Sequence, residues 1–290
     1  MTHRKGIILA GGSGTRLYPI TMAVSKQLLP IYDKPMIYYP ISTLMLAGIR
    51  EIAIITTPRD QAQFQQALGD GSQWGVEFTW IVQESPDGLA QAYILAEEFL
   101  DGAPSAMVLG DNLFFGHGLT DVLRQATTSS DNAIFAYQVR DPERYGVVGF
   151  GADGAVTSII EKPEKPASRF AVTGLYFLDG DAPKRAKAVK PSARGELEIT
   201  NLLESYLQEG GLKVHRLGRG YAWLDTGTHA SLLDAGNFAR TLENRQGLQT
   251  GSLEEIAFEN GWISADELRD RAAVFAKNEY GQYLLRLLYE

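Results

Sequence analysis

Cysteine is absent from the 290-residue sequence. This absence excludes disulfide bonds, thiolate metal ligands and a cysteine nucleophile. The sequence also lacks any run of about 18 apolar residues, so no membrane-spanning helix is predicted. The apolar run at residues 6–10 is too short to form the core of a signal peptide, and we therefore expect a cytoplasmic protein without a membrane partner.

Net positive charge is also lacking, since the formal charge is −8 at pH 7. Proteins bind long nucleic acids mainly by neutralising phosphates with Lys and Arg, so no nucleic acid polymer is expected as a partner. An anionic small substrate would need cations concentrated at one site or a bound metal ion. The histidines show neither metal-ligand spacing nor a Ser/His/Asp arrangement; they are His3, His117, His215 and His229.

The first half of the chain alternates apolar runs with helical patterns. Strands are predicted at residues 5–10, 51–56, 76–82, 106–109 and 133–139, and helices at residues 35–48, 60–68, 88–100 and 120–126. This alternation is typical of an α/β fold with a mainly parallel sheet that is covered on both faces. Ligands bind beyond the carboxyl ends of such strands, so the loops at Gly11, Gln83 and Asp111 should share one edge.

The second half is more mixed. Residues 147–150 and 156–160 flank Asp153-Gly154 and predict a hairpin. Further strands are predicted at residues 172–178, 213–217 and 221–224, with a helix at 197–208 and helical sequence from Thr228 onward. No linker is evident, so we expect one large domain, residues 1–240, followed by a helical C-terminal extension, residues 241–290.

A glycine-rich segment follows the first predicted strand, with the sequence Gly11-Gly12-Ser13-Gly14-Thr15-Arg16. Glycines allow backbone N–H groups to approach phosphate oxygens, and Arg16 can give a forked contact to the same group. The segment is not a P-loop, because no Gly-Lys-Ser/Thr follows, and Leu17 breaks the Rossmann fingerprint. A flexible turn is the alternative, but Arg16 favours phosphate binding.

Other charged residues stand beside apolar runs. Lys26 precedes Leu28 and Leu29, which favours a partly enclosed cation over an ordinary solvated one. Asp111 and Asp225 each end an apolar run; two such carboxylates suit Mg²⁺, although either could instead cap a helix or form a turn.

Two further cations lie in candidate loops. Pro163 disfavours helical geometry at Lys162, so the chain should stay extended there and present Lys162 at a strand end, where it could hold a sugar phosphate. Arg194 lies in a loop beside Gly195. An ordinary polar turn is the alternative for both segments.

The run GIILAGGSGTRLYPITMAVSKQLLPIYDKPMIYYP, residues 6–40, resembles the signature of the sugar-nucleotide pyrophosphorylase family. Similar stretches occur at residues 68–75, 85–92, 141–148, 171–177, 190–200 and 218–232, and the resemblance extends to about residue 285. It implies a Rossmann-like three-layer α/β/α domain with a mixed sheet. It also implies a Mg²⁺-dependent nucleotidyltransferase that joins dTTP to glucose 1-phosphate and releases pyrophosphate, the first step of deoxysugar biosynthesis.

The resemblance also implies residue roles. Arg16, Lys26, Asp111 and Lys162 would be catalytic, and Asp111 and Asp225 would hold the metal. The residues implied to bind the nucleotide are Gly11, Gly12, Ser13, Gly14, Thr15, Arg16, Gln83 and Gly88. Those implied to bind the sugar phosphate are Tyr145, Gly146, Glu161, Lys162, Val172 and Arg194.

A homotetramer and a second nucleotide site for feedback by a dTDP-sugar are implied as well. That site would involve the Gly116 loop and residues 251–263, where Glu259 replaces a usual Arg; Asn201 likewise replaces a usual Asp. Three alternatives remain open: the same chemistry with UTP or CTP, a nucleotide-sugar-binding regulator without catalysis, and a dinucleotide-dependent dehydrogenase. The incomplete fingerprint disfavours the last.

Overall fold

The computed structural model describes residues 3–12 and 14–289. The strands are β1 (Lys5–Leu9), β2 (Pro30–Ile31), β3 (Lys34–Pro35), β4 (Glu51–Thr56), β5 (Glu77–Val82), β6 (Ser105–Leu109), β7 (Asn112–Gly116), β8 (Asn132–Gln138), β9 (Gly146–Phe150), β10 (Val156–Glu161), β11 (Phe170–Leu178), β12 (Leu212–Leu217) and β13 (Tyr221–Asp225). The helices are α1 (Tyr38–Leu46), α2 (Gln61–Leu68), α3 (Gln91–Leu95), α4 (Glu97–Leu100), α5 (Leu119–Thr128), α6 (Ala182–Ala188), α7 (Ile199–Gln208), α8 (His229–Gln246), α9 (Leu253–Glu259), α10 (Ala265–Val274) and α11 (Glu279–Arg286).

The central sheet has the strand order β10-β9-β11-β6-β1-β4-β5, and β8 and β12 continue from β11 as a branch. β1 lies in the middle and pairs in parallel with β4 and β6. All strands of this sheet point one way except β10 and β11. The predicted mixed, mainly parallel sheet is therefore confirmed.

Two hydrophobic cores cover the two faces of this sheet. Alternate residues of β1 enter different cores: Ile8 packs with α1, α2 and α5, whereas Ile7 packs with α3, α6 and α7. Both isoleucines are fully buried, as expected for a strand that is covered on both faces. The three-layer α/β/α arrangement follows from this double burial.

A separate two-stranded ribbon is formed by β7 and β13, which pair antiparallel with Asn112 opposite Asp225. The sequence-based prediction left residues 112–116 outside any strand, and this was wrong. The strand was missed because its partner lies more than a hundred residues away, and neither Asn112 nor Gly116 favours a strand by local propensity.

The helix predicted at residues 88–100 also needs correction. It begins only at Gln91 and is divided into α3 and α4, with Ala96 between them. Gly88 has φ of +118° and lies in a loop. This loop is held by the Leu197 backbone, which competes with helix formation: Leu197 N donates to Asp87 O at 2.6 Å, and Ala90 N donates to Leu197 O at 3.0 Å.

The C-terminal helices share a core with the sheet. Leu253, Leu268 and Leu284 are fully buried in the same cluster as Ile8. α8 ends at Gly247, which has φ of +73°. Within residues 3–12 and 14–289, no helix is both long and apolar enough to cross a bilayer.

Candidate functional site

A cleft of about 520 Å³ opens beyond the carboxyl ends of β1, β5 and β6. It brings together every candidate catalytic, substrate-binding and metal-binding residue that the structure describes, and of these candidates only Ser13 lies outside the described residues. The candidates that line it are Gly11, Gly12, Gly14, Thr15, Arg16, Lys26, Gln83, Gly88, Asp111, Tyr145, Gly146, Glu161, Lys162, Val172, Arg194 and Asp225. The predicted common edge for the Gly11, Gln83 and Asp111 loops is therefore confirmed.

The glycine-rich segment packs directly against Gln83. A Cβ atom on Gly11 would lie 2.0 Å from Gln83 Oε1, so only glycine permits this approach. Gly14 has φ of +62°, a left-handed conformation that glycine adopts at little cost, and it precedes a short 3₁₀ turn that contains Arg16. The local sequence thus sets the backbone course that brings Arg16 to the cleft.

Asp111 is fixed by two neighbours. The Lys26 ammonium forms an ion pair with Asp111 Oδ2, and Asn112 Nδ2 donates to Asp111 Oδ1 at 2.8 Å. Burial disfavours the ionised carboxyl, but Lys26 and Asn112 outweigh it and hold the pKa of Asp111 below its usual range. The Lys26 side chain is only 11% exposed, so it is not an ordinary surface charge.

Asn112 is a site residue that the sequence analysis missed. It is buried, and its Oδ1 accepts from Trp223 Nε1 at 2.5 Å and from Gly174 N at 3.3 Å. These contacts lock the side chain that orients Asp111. Its position next to Asp111 was the only signal in the sequence, and Asn there is more often part of a turn.

Asp225 reaches the same region through the β7–β13 ribbon. Its Oδ1 accepts a hydrogen bond from the Tyr145 hydroxyl at 3.1 Å. Burial, and then the charge of Asp111, raise the pKa of Asp225. The helix-cap alternative does not hold for Asp225, because Thr228 and Ser231 form the capping box of α8.

Lys162 follows β10 directly, as expected, but its backbone is not extended. Its φ is +41°, in the left-handed region, while its N donates to Tyr145 O at 2.9 Å. The expectation from Pro163 was therefore wrong. The chain turns at Lys162, directly after the hydrogen bond that joins the Lys162 backbone to Tyr145. A non-glycine residue there costs about 1–2 kcal/mol, and the turn leaves the side chain 47% exposed at the cleft.

Arg194 is held by Glu198, which the sequence analysis also missed. Its Nη2 donates to both carboxylate oxygens of Glu198 at 2.8 Å, and it lies 3.5 Å from Glu161 Oε1. Burial, and then the charge of Glu198, raise the pKa of Glu161, although Lys162 and Arg194 partly offset this. Carboxylates thus fix the position of Arg194, and the Lys162 ammonium lies 3.8 Å from Glu161 Oε1.

A family model described as nucleotidyl transferase matches residues 5–241. The chain belongs to the nucleotidyl transferase family. The cleft lies within the matched residues, and its glycine-rich segment, cations and two carboxylates suit a transfer between phosphate groups, which depends on positioning and charge neutralisation. The protein is therefore a nucleotidyltransferase enzyme.

The chain is similar to individual nucleotidyl transferases over most or nearly all of its length. A glucose-1-phosphate thymidylyltransferase from Xanthomonas campestris pv. campestris is 64% identical over 99% of this chain and 98% of that protein. A solved structure of a candidate glucose-1-phosphate thymidylyltransferase from Bacillus anthracis, in complex with sucrose, is 40% identical, with a TM-score of 0.75 over 82% of this chain and 95% of that one. A UDP-glucose pyrophosphorylase complexed with UDP-glucose is 27% identical, with a TM-score of 0.72 over 82% of this chain and 98% of that one.

The donor set at the centre of this nucleotidyl transferase cleft fits a hard divalent cation. Asp111 and Asp225 supply only carboxylate oxygens, and the described residues contain no group of three or more His, Cys, Asp or Glu that could hold a metal. Mg²⁺ suits such a pair, because it binds few protein carboxylates and completes its shell with water and phosphate oxygens. Burial, and then the charge of Asp111, disfavour the ionised form of Asp225 and raise its pKa, so a cation here would stabilise the pair.

Proposed function

We propose that this nucleotidyltransferase joins dTTP to α-D-glucose 1-phosphate, giving dTDP-glucose and pyrophosphate, as the first step of deoxysugar biosynthesis. One observation carries the proposal: a single cleft unites a pyrimidine-compatible amide, a glycine-rich turn, a carboxylate pair and two separate groups of cations. The 64% identity to the Xanthomonas thymidylyltransferase supports the same substrates.

The nucleotide occupies the half of the cleft beside β1 and β5. The buried amide of Gln83 contacts the base edge, and Gly88 lets the base lie close to the backbone. Lys26 and Arg16 neutralise the triphosphate. The backbone N–H groups of Gly11, Gly12, Gly14 and Thr15 wrap the phosphates, and Ser13 keeps the nucleotide-binding role that the sequence implies.

The sugar phosphate occupies the half beside β9, β10 and β11. Lys162 and Arg194 bind its phosphate, and both are exposed enough to receive it, with side chains 47% and 39% exposed. The glucose ring is contacted by the residues that line this half, which are Tyr145, Gly146, Glu161 and Val172.

Asp111 and Asp225 would hold Mg²⁺ between these two halves. When bound, the ion neutralises charge on the phosphates of both substrates. Lys26 keeps Asp111 ionised and so available as a ligand, and Asn112 holds its carboxylate in place.

The reaction needs positioning more than proton transfer. A phosphate oxygen of glucose 1-phosphate forms a bond to the α-phosphorus in line, and the bond from that phosphorus to the β-phosphate oxygen breaks, which releases pyrophosphate. The attacking oxygen is already ionised at pH 7, so no general base is required. Arg16, Lys26, Lys162 and Arg194 lower the repulsion between the two anions and align them.

We further propose a domain division, an oligomeric state and a cellular location for this enzyme. Residues 1–240 form the catalytic domain and residues 241–290 an extension, because the described lining of the cleft ends at Gly227. We propose that the extension supports a homotetramer and a dTDP-sugar feedback site, which Glu259 modifies. Since dTTP and sugar phosphates are cytoplasmic metabolites, the enzyme would act in the cytoplasm.

Pyrophosphate release from the purified protein tests the proposal, with glucose 1-phosphate, Mg²⁺ and dTTP, UTP or CTP in parallel. We expect release with dTTP that stops when EDTA is added. Uridylyl transfer is the second candidate, since uracil presents the same imide edge as thymine to Gln83. A faster reaction with UTP would favour it, and no release with any triphosphate would favour a binding regulator.

A further inference from the structure

The amide of Gln83 is held by a second amide, that of Gln91. Gln83 is 4% exposed at the end of β5, where its backbone N donates to Thr56 O at 2.8 Å. Its Nε2 donates to Gln91 Oε1 at 2.7 Å. Gln91 is the first residue of α3 and was not a candidate in the sequence analysis.

The orientation of the Gln91 amide is determined by groups that cannot exchange roles. Asp87 N can only donate, and it donates to Gln91 Oε1 at 3.1 Å. Asp87 Oδ2 as a carboxylate oxygen accepts from Gln91 Nε2 at 3.0 Å, and it also accepts from Ser85 Oγ at 2.7 Å. Reversing the Gln91 amide would therefore lose both contacts with Asp87.

This fixed amide in turn fixes Gln83. The end of Gln83 that faces Gln91 Oε1 must be the donor, Nε2. The other end, Oε1, is the atom that approaches Gly11, 2.0 Å from the position of a Gly11 Cβ. Gln83 thus presents an acceptor to the glycine-rich side of the cleft.

We propose that Gln91 is a positioning residue that sets base specificity by fixing the orientation in which the Gln83 amide meets the base. This inference rests on the proposed function, in which Gln83 contacts the nucleobase. Thymine and uracil carry an N3–H donor beside the C4 carbonyl, which matches an amide that offers Oε1 together with the free hydrogen of Nε2.

Cytosine has the opposite pattern, with an acceptor at N3 and a donor amino group at C4. Gln83 could match it only by reversing its amide. That reversal would place Gln83 Oε1 against Gln91 Oε1, two acceptors without a proton between them, in a largely buried position. An unpaired buried acceptor is costly, so Gln91 opposes cytosine without touching the base.

The test compares pyrophosphate release with dTTP and dCTP for the wild type, for Gln91→Met and for the double variant Gln91→Glu/Asp87→Asn. Met fills the space of Gln91 but accepts only weakly, so Gln83 becomes free to reverse. We expect kcat/KM for dCTP to rise, and the dTTP-to-dCTP ratio to fall at least about tenfold. In the double variant Glu at position 91 still accepts from Gln83, and Asn at position 87 supplies the donor that Glu needs. This variant should return the ratio towards that of the wild type.

Equal loss of activity with both nucleotides in Gln91→Met would overturn the inference, since a merely structural role lowers both. Asp87→Ala gives a graded check: it removes the acceptor that holds Gln91 Nε2, but the backbone N of residue 87 still donates to Gln91 Oε1, so the ratio should fall by less than in Gln91→Met. A larger fall in Asp87→Ala than in Gln91→Met would count against Gln91 as the residue that sets the ratio. Failure of the proposed function is distinguishable, because the wild type itself would then release no pyrophosphate with dTTP.

Discussion

Gly88 and Leu197 touch through their backbones: a Cβ atom on Gly88 would lie 2.4 Å from both the N and the O of Leu197. Two backbone hydrogen bonds join the same segments, from Leu197 N to Asp87 O and from Ala90 N to Leu197 O. The loop proposed to receive the base is thus bonded to the loop that carries Arg194. These backbone contacts, which we call the junction, therefore link the nucleotide half of the cleft to the sugar-phosphate half.

Because of this junction, we expect Gly88→Ala to weaken the binding of both substrates. The new methyl group collides with Leu197, and a non-glycine residue is strained at φ of +118°. We expect KM to rise at least about tenfold for both dTTP and glucose 1-phosphate, because small displacements of binding groups are costly. Steady-state kinetics with each substrate varied checks this. Gly218→Ala is the control, since nothing lies within 4 Å of its Cβ position; an effect on dTTP alone would show that the loops are uncoupled.

Removing the charge at Lys162 should impair the use of glucose 1-phosphate but not of dTTP. Lys162→Ala loses a charge-assisted contact to the sugar phosphate, worth about 1.5–3 kcal/mol, which corresponds to roughly tenfold to a hundredfold in kcat/KM. The loss should appear when glucose 1-phosphate is varied and leave the KM for dTTP nearly unchanged. Lys165→Ala, an exposed lysine away from the cleft lining, is the control. Normal kinetics in Lys162→Ala would remove this residue from the mechanism.

Gly11→Ala should weaken nucleotide binding. Its methyl group would overlap Gln83 Oε1 and force the amide out of place. We expect the KM for dTTP to rise at least about tenfold, and the protein to remain folded by circular dichroism. A normal KM for dTTP would show that the close approach of Gly11 to Gln83 is not needed for binding.

The buried pair Lys34 and Glu243 predicts a stability effect. Both side chains are nearly inaccessible, at 3% and 4% exposed, and their Nζ and Oε1 atoms are 3.2 Å apart. Lys34→Met leaves Glu243 buried without its cation and should lower the free energy of unfolding by about 3–5 kcal/mol. Urea denaturation measures this change. Lys34→Met/Glu243→Gln should recover part of it, because Gln can still accept from Thr250 as Glu243 does, while the contacts of Lys34 Nζ with Asp33 Oδ1 and Gln249 Oε1, both at 2.6 Å, stay lost. Equal loss in the double variant would show that the packing of Lys34 and its contacts with Asp33 and Gln249, not the buried charge of Glu243, are responsible.

The raised pKa of Glu161 predicts that the free energy of unfolding depends on pH. Its pKa is raised by burial and by Glu198, so the ionised carboxyl is less favourable in the native state than in the unfolded chain. Stability from this group is present below the unfolded pKa and is lost as pH rises through the native pKa. Glu161→Gln should therefore raise the urea midpoint at pH 7, and the gain should shrink as pH falls towards about 4, the usual carboxyl range. Glu164→Gln, at an exposed neighbour, should show no such trend. A Glu161→Gln variant less stable at pH 7 would reverse the argument.

Local features of the sequence were enough to predict much of the sheet. β4 was predicted with its observed ends, because a run of apolar, largely β-branched residues between turn residues specifies a buried strand. The other strands and helices predicted in the first half also occur in the predicted order, although β2, β3 and β7 were not predicted and the helix at residues 88–100 is divided. The loops at strand ends therefore share the cleft by topology alone, which is why Gly11, Gln83 and Asp111 could be grouped in advance.

The sequence by itself determined the buried strands, the glycine-rich turn and the charged residues at strand ends, since each depends on neighbours only a few positions away. Tertiary structure alone decided how those residues are oriented. Asn112 meets Trp223 because β7 pairs with a distant strand, and Gly88 leaves the predicted helix because Leu197 binds its loop. Gln91 orients Gln83 through side-chain hydrogen bonds that no local pattern records. Contacts between distant segments form only in the packed chain, so no local pattern in the sequence records them.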